Sequence, residues 1–336
     1  METKEDVKTL RDGIPIAELQ QLSRRPMWKS IVQTCVIVTT YLAIGCTAFW
    51  FNRWEVWIPI WFCQAFILSG FLSAAHDCTH STLYDSPRAN RIAGALWASP
   101  VLINFSLYKY HHLVHHRKYK SLEGDSELSG SFPNLWAYIA SLPTLAFFTA
   151  FWKMSWMATK GLYPDFIKTS SARRAVDRDN WIQLGWLLLI AVLTIISPWF
   201  ITSLYWIPMI IYFPMTFLTT TPEHYDCDWG AGANQWNNTR TVTSNPIFRY
   251  YYWNSNYHAE HHLYPEIQAC NYPKVHQLIG SRFKYVEKSY IMFHLKLIWS
   301  LLIGKKPLEE LPKLQPNHKI NINVTYINTS DKIRQQ

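Results

Sequence analysis

Long apolar runs without a single charge, separated by polar and basic stretches, set the organisation of this 336-residue chain. Residues 31–51 and 56–75 are two such runs, parted only by a short turn at Asn52, Arg53 and Glu55. Each is close to the roughly 20 residues an α-helix needs to cross the hydrocarbon core. From Asn180 to Pro222 another 43 residues carry no charge. That is enough for two crossings, and Ser197-Pro198 is the natural turn because proline does not continue a helix interior. Four spans are expected, at about 31–51, 56–75, 180–199 and 201–221. Three other apolar stretches fall short. Residues 92–108 are interrupted by Pro100 and Asn104 and read as a re-entrant or interfacial piece. Residues 128–152 contain Pro133 and Pro143 and read as interfacial, and 291–303 read as an interfacial helix.

This pattern predicts an all-α integral membrane protein: four transmembrane helices in two hairpins, with interfacial helices. Residues 1–29 form a cytoplasmic N-terminal arm, 30–306 the membrane domain, and 307–336 a polar C-terminal tail. Arg24, Arg25 and Lys29 precede the first span, and Lys153, Lys160, Lys168, Arg173, Arg174 and Arg178 precede the third. The positive-inside rule then puts both termini in the cytoplasm. No cleavable signal segment is read at the N-terminus, and a bacterial cytoplasmic membrane, or a thylakoid membrane, is the expected location. The net charge of +9 flanks apolar segments, which fits anionic headgroups rather than nucleic acid. Seventeen Trp, 19 Tyr and 17 Phe fit interfacial belts and helix packing, with some rings expected along an apolar substrate channel. The six cysteines form no CxxC pair, which argues against a disulfide framework or a Cys-ligated zinc.

The chemistry lies at the ends of the apolar runs. The second span runs directly into His76-Asp77-Cys78-Thr79-His80, and the piece after 92–108 leads into His112-Leu-Val-His115-His116. The fourth span ends at Glu223-His224, and His258-Ala-Glu-His261-His262 follows 34 residues later. Spacings of i, i+3 and i+4 put the rings of each cluster on one face if the segments are helical. The clusters hold eight of the 13 histidines, and His224 makes nine. That is too many for one ion and about right for two. Neutral imidazole suits iron, copper, zinc and nickel alike, so residue type does not name the metal. Asp77, Asp125, Glu223 and Glu260 are candidates to orient the rings from behind. All clusters must meet on one side of the bilayer, as a cytoplasmic histidine-rich helical cap, which is why 128–152 is placed in the interface. His276 reads as a surface or packing histidine, His294 as interfacial and His318 as solvent-exposed.

The set HDCTH, HHLVHH and HAEHH over two membrane hairpins resembles the membrane-bound fatty acid desaturase/hydroxylase superfamily. HDCTH is similar to the first box of acyl-lipid desaturases. Glu223-His224, Asn238-Thr-Arg-Thr241, Trp253-Asn254 and Tyr257-His258-Ala-Glu-His-His-Leu-Tyr-Pro265 are similar to bacterial members. The similarity covers roughly residues 30–285. It implies a centre of two non-haem iron ions, with O2 as co-substrate, that introduces a double bond into a long fatty acyl chain. The implied metal ligands and catalytic residues are His76, His80, His112, His115, His116, His224, His258, His261 and His262, with Asn254 and the four acids around them. His111 ranks below His112. Without a fused His-Pro-Gly-Gly module, electrons are expected from a separate carrier, a ferredoxin or a small b-type cytochrome.

Two other readings stay open. A carotenoid hydroxylase or ketolase, or an alkyl hydroxylase of the same superfamily, shares these motifs, because desaturation and hydroxylation begin with the same hydrogen abstraction. A membrane b-haem electron carrier needs single axial histidines on facing helices, which fits the three-ring HxxHH poorly.

Overall fold

The structure is a computed structural model that describes residues 10–24, 26–118, 131–304 and 327–328. Asp125, His318 and most of the expected C-terminal tail lie outside the described residues. The described helices, numbered in chain order, begin with the short α1 (Ile16–Leu22). Four helices are long and apolar enough to cross a membrane: α2 (Met27–Phe51), α3 (Trp54–Thr79), α8 (Ser170–Ile196) and α9 (Pro198–His224). Between them lie α4 (Pro87–Ala98), α5 (Phe105–Lys118), α6 (Leu135–Ser141) and α7 (Leu145–Ala158). After α9 come α10 (Pro246–Tyr251), α11 (His258–Leu263), α12 (Tyr272–Ile279) and α13 (Tyr290–Leu302). A short parallel strand pair, β1 (Arg240–Val242) with β2 (Tyr285–Glu287), ties the segment after α9 to the start of α13.

Each long helix overruns its apolar run. Helix α8 starts ten residues before the charge-free stretch, capped by the Thr169 side chain, which accepts from Ala172 N. Backbone hydrogen bonding does not stop where hydrocarbon ends, so charged turns carrying Arg173, Arg174 and Asp179 continue the same helix. The break at Ser197-Pro198 falls where expected, and the first turns of α9 pass through a π-helical stretch at Thr202–Trp206. The 92–108 stretch forms α4, a 3₁₀ turn at Ser99–Val101 and the start of α5, with Leu102 at φ +61°. The 128–152 stretch forms α6 and α7, bent by 41° about Pro143-Thr144, where Thr144 has φ +52°. Thr144 donates to the Phe213 carbonyl, and Phe148 and Phe151 are fully buried, so this pair packs along α9.

The main apolar core fills the space between α2, α3, α4, α5, α7, α8 and α9. Two glycines permit its closest approaches. A Cβ on Gly70 of α3 would overlap the Tyr251 carbonyl, and one on Gly94 of α4 would overlap the Phe105 ring. A second core joins Ile14, Leu19 and Leu22 to Tyr257, Leu263, Tyr264 and Val275. The described part of the N-terminal arm therefore packs onto the third histidine cluster. Its polar average hid the spacing of Ile14, Leu19 and Leu22. His294 is buried within the protein: its Nε2 donates to the Leu218 carbonyl at 2.8 Å and its Nδ1 faces the Tyr138 hydroxyl at 3.1 Å.

Helix α5, which carries the second histidine cluster, is held at its N-terminus from α8. The Asp179 carboxylate, 2 % exposed, accepts from Ser106 N at 3.0 Å and Ser106 Oγ at 2.5 Å. Asn104 accepts from Leu107 N at 3.0 Å and donates to the Val176 carbonyl at 2.9 Å and to Asn180 at 2.7 Å. A carboxylate at this end satisfies orphan N–H groups and complements the helix dipole. Replacing Asp179→Ala strands a buried N–H and is expected to lower stability by about 1–3 kcal/mol. The check is a thermal melt of the detergent-purified protein, and an unchanged midpoint would remove α8 as the anchor of α5.

Candidate metal centre

The nine predicted histidines converge at one end of the helical bundle in two groups. His76, His80, His112, His116 and His261 form the first; His115, His224, His258 and His262 form the second. Within each group the candidate donor atoms all lie within 4.8 Å of one another. Four helices supply them: the end of α3, the C-terminal half of α5, the last residue of α9 and the whole of α11. Helix geometry explains the division. His112 and His116 stack one turn apart on α5 and face the first group. His115 is rotated about 100° from His116 and turns to the second. On α11, His258 and His262 pair in the second group while His261 joins the first. The rings of His116 and His262, one from each group, stack at 4.4 Å, so the groups adjoin.

Facing Nε2 atoms lie 2.9–3.2 Å apart in His80–His112, His116–His261, His115–His262, His224–His258 and His258–His262. Two nitrogens each about 2.1 Å from one ion and at right angles to it would stand about 3.0 Å apart, given ordinary metal–imidazole lengths. An Nε2 bears one hydrogen or one lone pair, so His258 cannot form full hydrogen bonds to both neighbours. A cation within each group would satisfy the facing lone pairs of that group. His76 supports the same fit: its Nδ1 is 3.2 Å from the Asp77 carboxylate, and its buried Nε2 has no hydrogen-bond partner. The donor set is one that divalent transition ions accept.

The partners behind the rings fix their orientation. His224 Nδ1 donates to the Asn238 carbonyl at 3.2 Å, leaving Nε2 for the centre. Glu223 lies 3.8 Å from His258 Nδ1. Glu260 does not touch a clustered ring. Its fully buried carboxylate accepts from Thr241 Oγ1 and faces His276 Nδ1 at 2.5 Å, which ties α11 to β1 and to α12. Asn254 and Trp253 have φ of +54° and +52° in the turn before α11, where the Asn254 carbonyl accepts from Tyr257 N at 3.0 Å. His111 is buried against Phe151 and Phe166 and belongs to neither group.

Sequence reasoning missed three contributors. His276, set aside as a surface or packing residue, is the partner of Glu260. Tyr272 sits with its hydroxyl 3.0 Å from His261 Nδ1. Arg240 donates to the Pro222 and Tyr225 carbonyls at 2.6 and 2.7 Å, closing the C-terminus of α9 beside His224. Cations suit that end of a helix. Only the placement of Arg240 within Asn238-Thr-Arg-Thr241 hinted at a role.

A helical membrane protein whose polar end is organised around an all-imidazole donor set is the class these features define. The fatty acid desaturase family model matches residues 52–294. The chain belongs to the fatty acid desaturase family. Similar curated proteins include a temperature-sensitive sn-2 acyl-lipid omega-3 desaturase (ferredoxin), chloroplastic, of Arabidopsis thaliana, 25% identical over 71% of this chain and 60% of that protein. A chloroplastic omega-3 fatty acid desaturase of Ricinus communis is 25% identical over 71% and 57%. A chloroplastic sn-2 acyl-lipid omega-3 desaturase (ferredoxin) of Helianthus annuus is 24% identical over 92% and 74%. The chain thus spans about 60% of the length of the first two.

Burial, and then the neighbouring imidazoles, push His116, His258, His261 and His262 well below the usual histidine range. The rings are therefore neutral at pH 7, as metal binding requires. In the unfolded chain they titrate near 6.5. Below that value the unfolded state binds more protons, so stability present above about pH 6.5 is lost as pH falls toward the depressed folded values. Melting of the metal-free protein between pH 7.5 and 5.5 is expected to show a falling midpoint. A flat profile would mean that these rings are not buried together.

Proposed function

We propose that the protein is a membrane-bound desaturase that introduces a double bond into a long fatty acyl chain. The observation that carries this reading is the two-group, nine-histidine donor set at the polar end of an apolar bundle, in a chain of the desaturase family. In this reading His76, His80, His112, His116 and His261 hold one non-haem iron and His115, His224, His258 and His262 hold the second. When bound, the two irons supply O2 activation and the oxidising power to remove hydrogen from an unactivated C–H bond. The chain's own residues orient and shield. Asp77, Asn238 and Glu223 set the ring orientations, and Glu260 with Thr241 and His276 fixes α11. Burial of the second group keeps water from it.

The same geometry supports a membrane placement. His115 and His224 lie with ring centroids 4.8 Å apart, so the chain between them returns to its starting side. Helices α8 and α9 supply one crossing out and back. The bent α6–α7 pair then makes no net crossing, which supports its interfacial placement and two spanning hairpins, α2–α3 and α8–α9. Basic residues before α2 and α8 favour a cytoplasmic cap with both termini on that side. A ferredoxin, named for two of the relatives, or a small b-type cytochrome would deliver electrons there. A bacterial cytoplasmic or a thylakoid membrane would suit such a donor.

An apolar cavity of about 510 Å³ supports a hydrocarbon substrate. It lies between α2, α3, α4, α8 and α9, with Tyr41, Leu42, Leu68, Phe71, Trp97 and Leu193 in its wall. Phe71 is only five residues before His76. The polar groups at its wall are turned inward: Tyr41 donates to the Leu204 carbonyl and Tyr205 to the Pro100 carbonyl.

Two experiments test the reading. Expression in a host with a matching electron donor is expected to yield a new unsaturated acyl species by mass spectrometry, absent with His261→Ala. A product that gains oxygen instead would make the protein a hydroxylase or ketolase. Filling the cavity with Leu42→Trp is expected to cut turnover of long acyl chains about tenfold or more with iron content unchanged, since a misplaced chain loses reactive alignment. Equal turnover in that variant would place the substrate elsewhere.

A further inference from the structure

We infer that Tyr272 is a positioning residue that fixes the tautomer and rotation of His261, an inference that rests on the metal-centre reading above. His261 is central to the first group. Its Nε2 is 2.9 Å from that of His116, and its ring centroid lies 4.4 Å from that of His76 and 4.7 Å from that of His80. A ring flip about Cβ–Cγ swaps Nδ1 with Cδ2 and Nε2 with Cε1, so a partner at Nδ1 fixes the rotation, and by accepting the Nδ1 hydrogen it leaves the Nε2 lone pair for the centre. For His76 and His224 that partner is a carboxylate and a backbone carbonyl, both pure acceptors.

For His261 the partner is the buried phenol of Tyr272, which can donate or accept. Its second contact decides the direction. The Tyr272 hydroxyl points its hydrogen to the Tyr264 carbonyl at 3.4 Å, which leaves the oxygen to accept from His261 Nδ1–H at 3.0 Å. His261 is thereby held with Nε2 toward the first group.

The placement of Tyr272 is itself determined. Tyr272 and His276 are one turn apart on α12 and share a face. They reach two consecutive residues of α11: Tyr272 meets His261, and His276 meets Glu260. Helix α12 thus grips the ligand helix at two adjacent points, with Tyr272 only 2 % exposed and Val275 fully buried beneath. A neutral phenol behind His261 also makes that ring a weaker donor than His76, which has a carboxylate behind it. The two rings therefore meet a metal unequally.

The test is Tyr272→Phe, which keeps the ring and removes only the oxygen. Purified protein is stripped of metal and titrated with cobalt(II), reading visible absorption and apparent affinity. The expected result is a 10- to 100-fold loss of cobalt affinity with an altered visible spectrum, the usual size for loss of a ligand's hydrogen-bond partner. The midpoint of the metal-free protein should stay near that of the parent. Tyr264→Phe, whose hydroxyl faces Arg11 rather than the centre, should bind cobalt like the parent. In a His261→Ala background, Tyr272→Phe should cause no further loss. Parent-like cobalt binding by Tyr272→Phe would overturn the inference, as would an equal loss with and without His261. A parent protein that binds no cobalt would overturn the metal-centre reading along with it.

Discussion

Nine imidazoles held in two adjoining groups, each a few ångströms across, are the constraint on which the rest of the structure depends. Charged, they would repel and be stripped of water at a cost no apolar packing offsets. Burial holds His116, His258, His261 and His262 neutral, and neutrality exposes the lone pairs that a metal requires. The same burial favours a partner inside the protein behind each ring. The Asp77 carboxylate, the Asn238 carbonyl and the Tyr272 phenol are such partners, and each also settles which nitrogen faces inward. Donor chemistry and ring orientation are thus two results of one desolvated environment.

The membrane helices serve this centre as supports whose ends are its walls. Helix ends carry unsatisfied backbone groups, and here these are closed by side chains that also place histidines. Asp179 and Asn104 close the start of α5 from α8, which sets where His112, His115 and His116 stand. Arg240 closes the end of α9 beside His224. The β1–β2 pair then connects Arg240 and Thr241 to the segment leading into α13, so the loop after the last span is braced before it reaches α11. A centre built from helix ends is only as well placed as these caps.

The apolar cavity shares α3 with the first histidine cluster, and its Tyr41 and Tyr205 hydroxyls are bonded to carbonyls of packed neighbouring segments. The cavity lining includes none of the nine histidines, so the apolar space and the donor set are chemically separate. Phe71 and Trp97 meet edge to face in the cavity wall at a ring distance of 4.8 Å. An enzyme that acts on an unactivated chain needs this division, because the chain offers no polar handle and must be aligned by shape alone.

The sequence by itself determined the four apolar helices, the break at Ser197-Pro198, and the nine histidines at helix ends. Charge-free length and i, i+3, i+4 spacing are local properties, legible along one strand of text. It also marked 92–108 and 128–152 as interrupted, through their prolines. The tertiary structure alone decided that His115 leaves its neighbour His116 for the other group, since which face of α5 meets which helix depends on packing. It decided too that Ile14, Leu19 and Leu22 of the polar arm pack beside α11. Glu260, read as a companion of the rings, proved to brace α11 through Thr241 and His276, and Tyr272 took the place behind His261. Those contacts join residues far apart in the chain or on separate short helices, and no local pattern encodes a contact whose geometry is set by the burial of everything around it.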